Sequence, residues 1–259
     1  MAVEGGNWQI FARMLEASRA QVHLATNVTE LEKLDNGTYH ISYRTNADAA
    51  AEANHVELFD EVILAAPVQF SAITFTPEPK HLPDEIPYVK LHVTLLTSKH
   101  PLSPQAFNLA ADKQVPQMVL TTLPPGEEHG SDPDGVGSPG FFSISMLRPT
   151  IDTRDGNERL EYLYKIFSPE PVNSTFLASI FGLEPRGPEQ GIAHDDVSWI
   201  YRKVWHSYPY EYPRVTFEEL KMDDRLWYTS GIESFISTME TSSLMGMNVA
   251  KLIADSWEK

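Results

Sequence analysis

The stretch Leu226-Trp227-Tyr228-Thr229-Ser230-Gly231-Ile232-Glu233 joins an apolar run to a glycine and a single acidic residue. The apolar run predicts a buried strand over Leu226–Ile232 that ends beside the glycine. Small hydroxyl residues follow at 237–242, and the apolar spacing beyond them predicts a helix from about Ser242 to Trp257. The last part of the chain is therefore predicted to form a strand, a short turn and a helix.

Two interpretations of this terminal block are open from the residues alone. A helix entrance offers free N–H groups and a partial positive charge, which suit a phosphate or a flavin oxygen that gains negative charge on reduction. The simpler interpretation is a capped amphipathic helix, with Ser237, Thr238, Thr241 or Ser242 as the cap. Caps of this kind are frequent, so the block alone favours the structural interpretation.

Working outward from this block, the chain predicts a mixture of helices and strands. A helix is predicted over 7–17, a hairpin over Asn27–Leu34 and Thr38–Arg44, and a buried strand over Phe59–Pro67. Further strands are predicted at Tyr88–Thr97, Met118–Leu123, Phe141–Leu147, Leu160–Phe167 and Val197–Val204, with a short helix at Ser174–Phe181. This order is not a regular alternation of strands and helices. It predicts an α+β fold within the wider α/β family, with a mixed or mostly antiparallel sheet.

Composition excludes several functions. The net charge of −16 repels phosphate backbones, which argues against nucleic-acid binding. The chain has no cysteine, no spacing typical of a metal site and no apolar run long enough to span a bilayer. Three glycosylation acceptors begin at Asn27, Asn36 and Asn173, and they are compatible with a secretory route.

One literal G-x-G-x-x-G sequence occurs, at Gly135–Gly140. A dinucleotide fingerprint follows a strand and opens a helix, so that N–H groups face the pyrophosphate. Here acidic residues precede it at 131–134, and the predicted strand at Phe141–Leu147 follows it. We therefore interpret it as part of a mobile surface insertion over 124–140.

A dense run of aromatic residues and prolines occupies Trp205–Pro213. It suits either the wall of an apolar pocket or a rigid loop packed on the core, and the sequence favours neither. His206 and Glu211 are candidates for proton transfer, but no arrangement of a nucleophile with a base is evident, so no catalytic residue is assigned.

Three parts of the chain together resemble the prenylcysteine oxidase (prenylcysteine lyase) family of flavoproteins. They are the segment Val3–Asn7, the segment Phe59–Pro67, and the two blocks 205–209 and 226–242 taken together. The resemblance covers nearly the whole chain and is weakest across Pro104–Gly140. It implies an amine-oxidase-like fold, in which a dinucleotide-binding domain holds FAD and a sheet-based domain covers the flavin and forms the substrate pocket.

The resemblance also implies a division of the chain into three parts. Residues 1–87 would belong to the FAD-binding domain, 88–215 would form the substrate domain, and 216–259 would be the flavin-facing strand and helix. The family's own G-x-G-x-x-G segment has no match in this sequence. We therefore expect a C-terminal portion of such an enzyme that is inactive alone, with the FAD-binding segment as a missing partner.

The site residues follow from the resemblance, residue by residue. Glu233 would bind the ribityl chain, Val28 the adenine, and Trp205, Tyr208 and Tyr210 the prenyl group or the flavin ring. The full FAD-binding set is Gly5, Gly6, Val28, Ala66, Pro67, Glu233, Thr238, Met239, Glu240 and Thr241.

The implied reaction is oxidation of a prenylcysteine thioether by FAD and oxygen to cysteine, a prenyl aldehyde and hydrogen peroxide. The family implies a lysosomal, vacuolar or secretory location. Two other hypotheses stay open: a non-catalytic module that binds a prenyl or other lipid group, and another amine-oxidase-like flavoenzyme.

Overall fold

The computed structural model describes residues 3–45, 54–121, 126, 136–137, 139–154, 156–184 and 195–258. The contacts divide the chain into two units: one runs up to Ile86 and resumes at Glu211, and the other is Pro87–Tyr210. Helices together with mixed and antiparallel sheets confirm the predicted α+β class. The functional roles predicted for 1–87, 88–215 and 216–259 stay predictions.

A four-stranded sheet in the first unit has the order β3-β2-β1-β5. The predicted hairpin is confirmed: β1 (Thr26–Lys33) pairs antiparallel with β2 (Tyr39–Thr45). Gly37 takes the positive φ of 83° that the turn requires. Two strands of this sheet were not predicted. Strand β3 (His55–Phe59) pairs with β2, and strand β5 (Thr74–Thr76) pairs parallel with β1.

A smaller sheet in the same unit joins two distant parts of the sequence. Strand β4 (Val62–Leu64) pairs parallel with β12 (Leu226–Tyr228), and β11 (Lys221–Asp223) pairs antiparallel with β12. Strands β4 and β12 are both shorter than predicted. The strand predicted to reach Ile232 is wrong beyond Tyr228, since a 3-10 helix takes over at Ser230–Ser234.

Helix α3 (Met239–Trp257) covers one face of this small sheet. Trp227 of β12 packs there with Val249 and Ile253. Leu226 and Tyr228 point to the opposite face, because side chains alternate along a strand, and belong to the core cluster that also contains strand β1's Leu31. The small sheet is therefore packed on both faces.

The two helices of the first unit differ in how they are held. Helix α1 (Trp8–Ser18) forms where predicted, and none of its residues is buried. Helix α3 starts at Met239, three residues before the predicted Ser242. The reason is a reciprocal cap, in which Thr238 and Thr241 each accept the other's backbone N–H.

The second unit is a five-stranded antiparallel sheet of order β10-β6-β9-β8-β7. Its strands are β6 (Tyr88–Ser98), β7 (Met118–Leu120), β8 (Ser143–Asp152), β9 (Arg159–Ser168) and β10 (Trp199–Pro209). Helix α2 (Ser174–Phe181) packs on one face of the sheet and contributes Leu177 and Phe181 to a core with Leu96, Ile144 and Ile166. All five strands and the helix occur at their predicted places, with different ends.

Strand β10 extends beyond its predicted end at Val204. The loop interpretation of the aromatic run is wrong from Trp205 to Pro209, because β10 continues through these residues and pairs with β6 as far as Tyr88. A proline is tolerated there since β10 is an edge strand and Pro209 is its last residue.

One prediction falls largely outside the described residues, namely the insertion over 124–140. The part of 124–140 that is described ends at Gly140, and β8 follows at Ser143, so the literal glycine motif does not open a helix. Within the described ranges no helix is long and apolar enough to cross a membrane, and no group of acidic and histidine side chains forms a metal site.

A buried ion pair ties the two sheets of the first unit together. Asp223 of β11 is 7% exposed, and its carboxylate accepts hydrogen bonds from Lys33 of β1 at 2.9 Å and from the Asp224 N–H at 2.7 Å. Lys80 lies 3.3 Å from the same oxygen. Burial alone would raise the pKa of Asp223, but these partners outweigh it and lower the pKa to about 2.

We expect Asp223 to stabilise the fold above pH 4 and to lose this effect as the pH falls towards 2. Stability falls towards low pH because the folded-state pKa of about 2 lies below the ordinary value of 3.8. Asp223→Asn should lower the free energy of unfolding at pH 7 by about 2 kcal/mol. The variant should also lose less of this free energy than the unaltered chain between pH 4 and 2. Urea denaturation at several pH values measures both.

The control for this variant is Asp112→Asn, because the Asp112 side chain is exposed and pairs only with the exposed Lys113 next to it. It should change the free energy of unfolding by less than about 0.5 kcal/mol. Equal acid sensitivity of Asp223→Asn and the unaltered chain would contradict the assigned role of this pair.

Candidate functional site

The carboxyl ends of β4 and β12 meet at one edge of the small sheet. The Thr229 N–H donates to the Leu64 carbonyl oxygen at 3.0 Å, which holds the two chains together beyond the strands. Ala66 and Pro67 follow β4, and Glu233 lies in the 3-10 helix that follows β12. Ligands of open α/β sheets bind outside the carboxyl ends of parallel strands. The fold therefore brings Ala66, Pro67 and Glu233 to such an edge.

Tyr228, the last residue of β12, is buried near this edge. Burial raises the pKa of its phenol to about 12, and the carboxylates of Glu233 and Glu218 add to the increase. The phenol is consequently neutral at physiological pH. Tyr228 can orient a neighbouring group but cannot act as a base there.

Val28 reaches the same region through the core. Its side chain packs against the buried cluster of the first unit, against which Leu64 and Val68, on either side of Ala66 and Pro67, also pack. The strand has a bulge at Thr29, whose hydroxyl donates to the Ser42 carbonyl oxygen. The Val28 side chain thus has a structural role, and its predicted adenine contact would come from the backbone.

Gly5 and Gly6 form the turn that leads into α1. Their φ angles are 81° and 115°, values that residues with a side chain rarely adopt. The Trp8 indole N–H donates to the Gly5 carbonyl oxygen at 3.0 Å and closes the turn. The structure places both glycines at the start of α1, where they have a backbone role independent of any ligand.

A cleft of about 460 Å³ separates α1 from the start of α3. Phe11 and Met14 of α1 line one side, and residues of the segment 237–243 line the other. The cleft is mostly apolar with hydroxyl groups at the α3 end. It brings the N-terminal helix beside the predicted Thr238, Met239 and Thr241.

The entrance of α3 decides between the two interpretations of the terminal block. The structural one is confirmed, since the Thr241 N–H donates to the Thr238 hydroxyl at 3.2 Å and the Thr238 N–H to the Thr241 hydroxyl at 3.2 Å. This cap leaves two first-turn donors, the N–H groups of Met239 and Glu240, for which no partner lies among the described residues. A bound acceptor would find both groups available.

The charge around these donors limits what they can bind. Glu240 lies in the first turn, and the Glu211 carboxylate accepts the Ser237 N–H at 2.8 Å just before the helix. Two carboxylates so close to the entrance oppose a full anion such as a phosphate. A neutral carbonyl oxygen, such as one on a flavin ring, fits these two donors better.

In the second unit, the sheet face opposite α2 carries a row of aromatic side chains. Trp205 pairs with Leu91 and Tyr208 with Val89. Leu91 and Val89 are two residues apart on β6, so their side chains lie on the same face of the sheet. Residues 205 and 208 would point to opposite faces of a regular strand. A bulge at Ser207 restores Tyr208 to the face of Trp205.

We call this surface the open aromatic face and define it by Phe167, Trp199, Tyr201, Trp205 and Tyr208. The Phe167 and Tyr208 rings meet edge to face at 6.4 Å, and Trp199 stacks on Tyr201 at 6.4 Å. Trp205 is 49% and Tyr208 52% exposed. The structure therefore presents an aromatic surface, as the pocket-wall interpretation of Trp205 and Tyr208 requires.

Two lysines lie on the same face. The Lys203 ammonium lies 5.4 Å from the Trp205 ring centroid, and the Lys165 ammonium 4.5 Å from that of Phe167. They add positive charge to a surface that is otherwise apolar. Sequence reasoning missed these lysines and Trp199, Tyr201 and Phe167, although the alternation of 199, 201, 203 and 205 was visible.

The remaining predicted residues divide between the two units. Tyr210 lies just beyond β10, where its N–H donates to the Pro87 carbonyl oxygen at 2.8 Å. His206 points to the face opposite Trp205 because it is the next residue in the strand. Glu211 belongs to the other unit and holds the Ser237 N–H.

Together these features define an α+β protein. In one unit the carboxyl ends of two parallel strands meet, as they do where open α/β sheets bind ligands, and the other unit has an aromatic sheet face. The sequence model of the prenylcysteine lyase family matches residues 1–259. The chain therefore belongs to the prenylcysteine lyase family.

Curated relatives agree with this assignment. The chain is 26% identical over 253 residues to a farnesylcysteine lyase of Arabidopsis thaliana, with 97% of this chain and 42% of that protein covered. It is 26% identical over 271 residues to prenylcysteine oxidase 1 of Rattus norvegicus, covering 99% and 47%. For the human protein named prenylcysteine oxidase 1-like, the identity is 22% over 266 residues, covering 99% and 47%. The chain spans less than half the length of these relatives.

Gly231 links β12 to Glu233, and we expect it to tolerate no side chain. A Cβ there would lie 2.6 Å from the Cβ and 3.0 Å from the Cγ of Glu218, which cannot move aside easily. Gly231→Ala should lower the free energy of unfolding by about 1–3 kcal/mol, measured by urea denaturation.

The matched control is Gly246→Ala, because a Cβ at this position in α3 meets nothing within 4 Å. Removing a glycine from a helix interior should stabilise the chain by about 0.5–1 kcal/mol. A Gly231→Ala variant as stable as the unaltered chain would show that the turn after β12 is not packed as described.

Proposed function

We propose that this chain is part of an FAD-dependent thioether oxidase. The reaction converts a prenylcysteine, oxygen and water to cysteine, a prenyl aldehyde and hydrogen peroxide. The observation that carries the proposal is the open aromatic face, in a chain that matches the prenylcysteine lyase family over its whole length. The names farnesylcysteine lyase and prenylcysteine oxidase, borne by relatives, support the substrate class.

The open aromatic face suits a prenyl chain. Burying apolar surface contributes roughly 0.8 kcal/mol for each CH₂ group, so a long isoprenoid gains much from a wide aromatic surface. A prenylcysteine also carries a carboxylate. Lys165 and Lys203, which lie over Phe167 and Trp205, would attract that carboxylate and fix the direction in which the substrate lies.

The flavin would be held in the first unit. Ala66, Pro67 and Glu233 stand at the carboxyl-end edge of β4 and β12, and the N–H groups of Met239 and Glu240 would donate to a carbonyl oxygen of the ring. FAD, when bound, supplies the acceptor for the hydride that leaves the prenyl carbon next to sulfur. The chain then has to orient the substrate and to admit the one water molecule that the reaction consumes, which agrees with the lack of an assigned base.

We expect Trp205→Ala to weaken the binding of S-farnesylcysteine to the 259-residue chain by about tenfold or more, because an exposed indole on the open aromatic face is removed. Equilibrium dialysis measures the dissociation constant. The control is Trp257→Ala, whose indole is exposed on α3, and it should change the constant by less than about twofold. Equal binding by both variants, or none by the unaltered chain, would contradict the proposed substrate surface.

We also propose that the chain alone does not turn over substrate. The match covers less than half of each curated relative, and the literal glycine motif leads into β8 rather than a helix. After incubation with FAD and gel filtration, the chain should be colourless. A flavin band at about 450 nm that remains with the protein would contradict this proposal, because it would show that the chain alone can hold FAD.

A second candidate function is a non-catalytic module that binds a prenyl or other lipid group. The open aromatic face favours it, because that surface is complete within the second unit and does not depend on a flavin. Binding of S-farnesylcysteine without any peroxide formation, even when the other half of the enzyme is supplied, would support the module over the oxidase.

We further propose a lysosomal, vacuolar or secretory location, supported by the glycosylation acceptors. Asn27 is exposed, and no partner for its side chain lies among the described residues. Asn36 and Asn173 are also exposed, but their side chains accept hydrogen bonds from Thr38 and from the Phe176 N–H. Asn27 is therefore the acceptor most open to a glycan.

A further inference from the structure

A charged cavity of about 370 Å³ lies at one end of the sheet in the second unit. Its walls are built where strands begin or end: Lys99 follows β6, Asp152 ends β8, Arg159 begins β9 and Ser198 precedes β10. The other described lining residues are Arg154, Glu161 and Asp195. All of these residues except Ser198 are ionisable, so the cavity suits a ligand that carries charge.

The acidic residue Asp152 already has its partners inside the chain. Its carboxylate accepts hydrogen bonds from the Arg154 guanidinium at 2.7 and 3.1 Å. A third Arg154 nitrogen donates to the Ser198 carbonyl oxygen at 2.5 Å, and Arg159 lies 3.9 Å from the Asp152 carboxylate. The hydrogen bonds from Arg154 lower the pKa of Asp152 to about 2. Asp152 therefore needs no cation from outside.

Glu161 differs from Asp152 because its carboxylate has no cation beside it. The residue is 6% exposed, and its Oε2 accepts the Ser198 hydroxyl at 2.5 Å. The Ser198 oxygen in turn lies 2.7 Å from the Thr97 hydroxyl. No lysine, arginine or histidine among the described residues forms an ion pair with Glu161, and its Oε1 has no hydrogen-bond partner there. Glutamate is rarely buried without a compensating charge, since it loses its hydration.

Lys99 and Asp195 add a charge of each sign to the cavity. Both side chains are exposed, and no ion-pair partner for either lies among the described residues. Alone, such exposed side chains would be ordinary solvated charges. Beside the uncompensated carboxylate of Glu161, they make a cavity that offers acceptors for a cation and a donor for an anion.

We propose that this cavity binds a free α-amino acid. The ammonium group of the ligand donates to Glu161 Oε1 and to the Asp195 carboxylate, and its carboxylate accepts from the Lys99 ammonium. A metal ion fits less well, because no group of three acidic or histidine side chains gathers among the described residues. A simple anion is opposed by Glu161 and Asp195, whereas a zwitterion matches both signs. The proposal does not rest on the proposed function, since it involves neither a flavin nor a prenyl group.

Titration calorimetry of the 259-residue chain with L-methionine tests the proposal. Methionine is a zwitterion with a linear side chain, and we expect a dissociation constant of about 1 mM or lower. N-acetyl-L-methionine lacks the ammonium and L-methionine amide lacks the carboxylate, so each should bind at least about tenfold more weakly. S-farnesylcysteine is not the probe, because its prenyl chain would also bind the open aromatic face.

Glu161→Gln separates binding from folding, because the two should change in opposite directions. The amide keeps the shape of the side chain and can still accept the Ser198 hydroxyl, but the buried charge is gone. The variant should bind methionine at least about tenfold more weakly. It should unfold at the temperature of the unaltered chain or up to about 5 °C above it.

Two further variants control this comparison. Lys99→Met changes an exposed side chain of the cavity, so it should weaken methionine binding by about fivefold or more and keep the unfolding temperature within about 2 °C. Glu170→Gln is the matched control for Glu161→Gln, because Glu170 is exposed and does not line the cavity. It should change neither the binding constant nor the unfolding temperature.

Three results would overturn the proposal. The first is that methionine at about 20 mM neither gives a saturable heat nor raises the unfolding temperature of the unaltered chain. The second is equal methionine binding by the unaltered chain, Glu161→Gln and Lys99→Met, because the ligand would then lie elsewhere. The third is a Glu161→Gln variant that unfolds more than about 5 °C below the unaltered chain, because the chain itself would then already compensate this carboxylate.

Discussion

The parallel pairing of β4 with β12 is the constraint on which the first unit depends. It joins residues 62–64 to 226–228, which are separated by the entire second unit in sequence. Closing so long a loop costs conformational entropy, which the apolar contacts of Leu226, Trp227 and Tyr228 on both faces must offset. Once the pair has formed, α3 has a surface to pack on and the segments after both strands share one edge.

The site follows from this pairing more than from any single residue. Glu233 and Pro67 are distant in sequence, and they approach the same edge only because their strands run parallel. The helix entrance bears out the structural interpretation of the terminal block, and the ligand interpretation stays a proposal. Its threonines form an ordinary capping box, and the cap leaves the N–H groups of Met239 and Glu240 available to a ligand. A cap and a ligand site are therefore compatible at α3.

Local patterns predicted the elements that are stabilised locally. The alternation along 88–98 and the turn at 35–37 are sufficient to place β6 and the first hairpin. The short strands β3, β5 and β11 were not predicted, because each exists through its pairing partner rather than its composition. The bulge at Ser207, which sets the side of Tyr208, likewise follows from pairing with β6. The resemblance supplied the candidate residues, and the fold brought together only part of them.

A full-length chimera, in which this chain replaces the matched segment of the Arabidopsis thaliana farnesylcysteine lyase, tests the account most directly. The measurement is the set of products that it forms from S-farnesylcysteine when it is loaded with FAD in the presence of oxygen. An FAD-dependent thioether oxidase forms farnesal and hydrogen peroxide in equal amounts, together with cysteine. We expect that stoichiometry, and we expect peroxide and aldehyde to fall together when oxygen is removed. Release of cysteine without peroxide, or binding of S-farnesylcysteine without any product, would contradict the proposed oxidation.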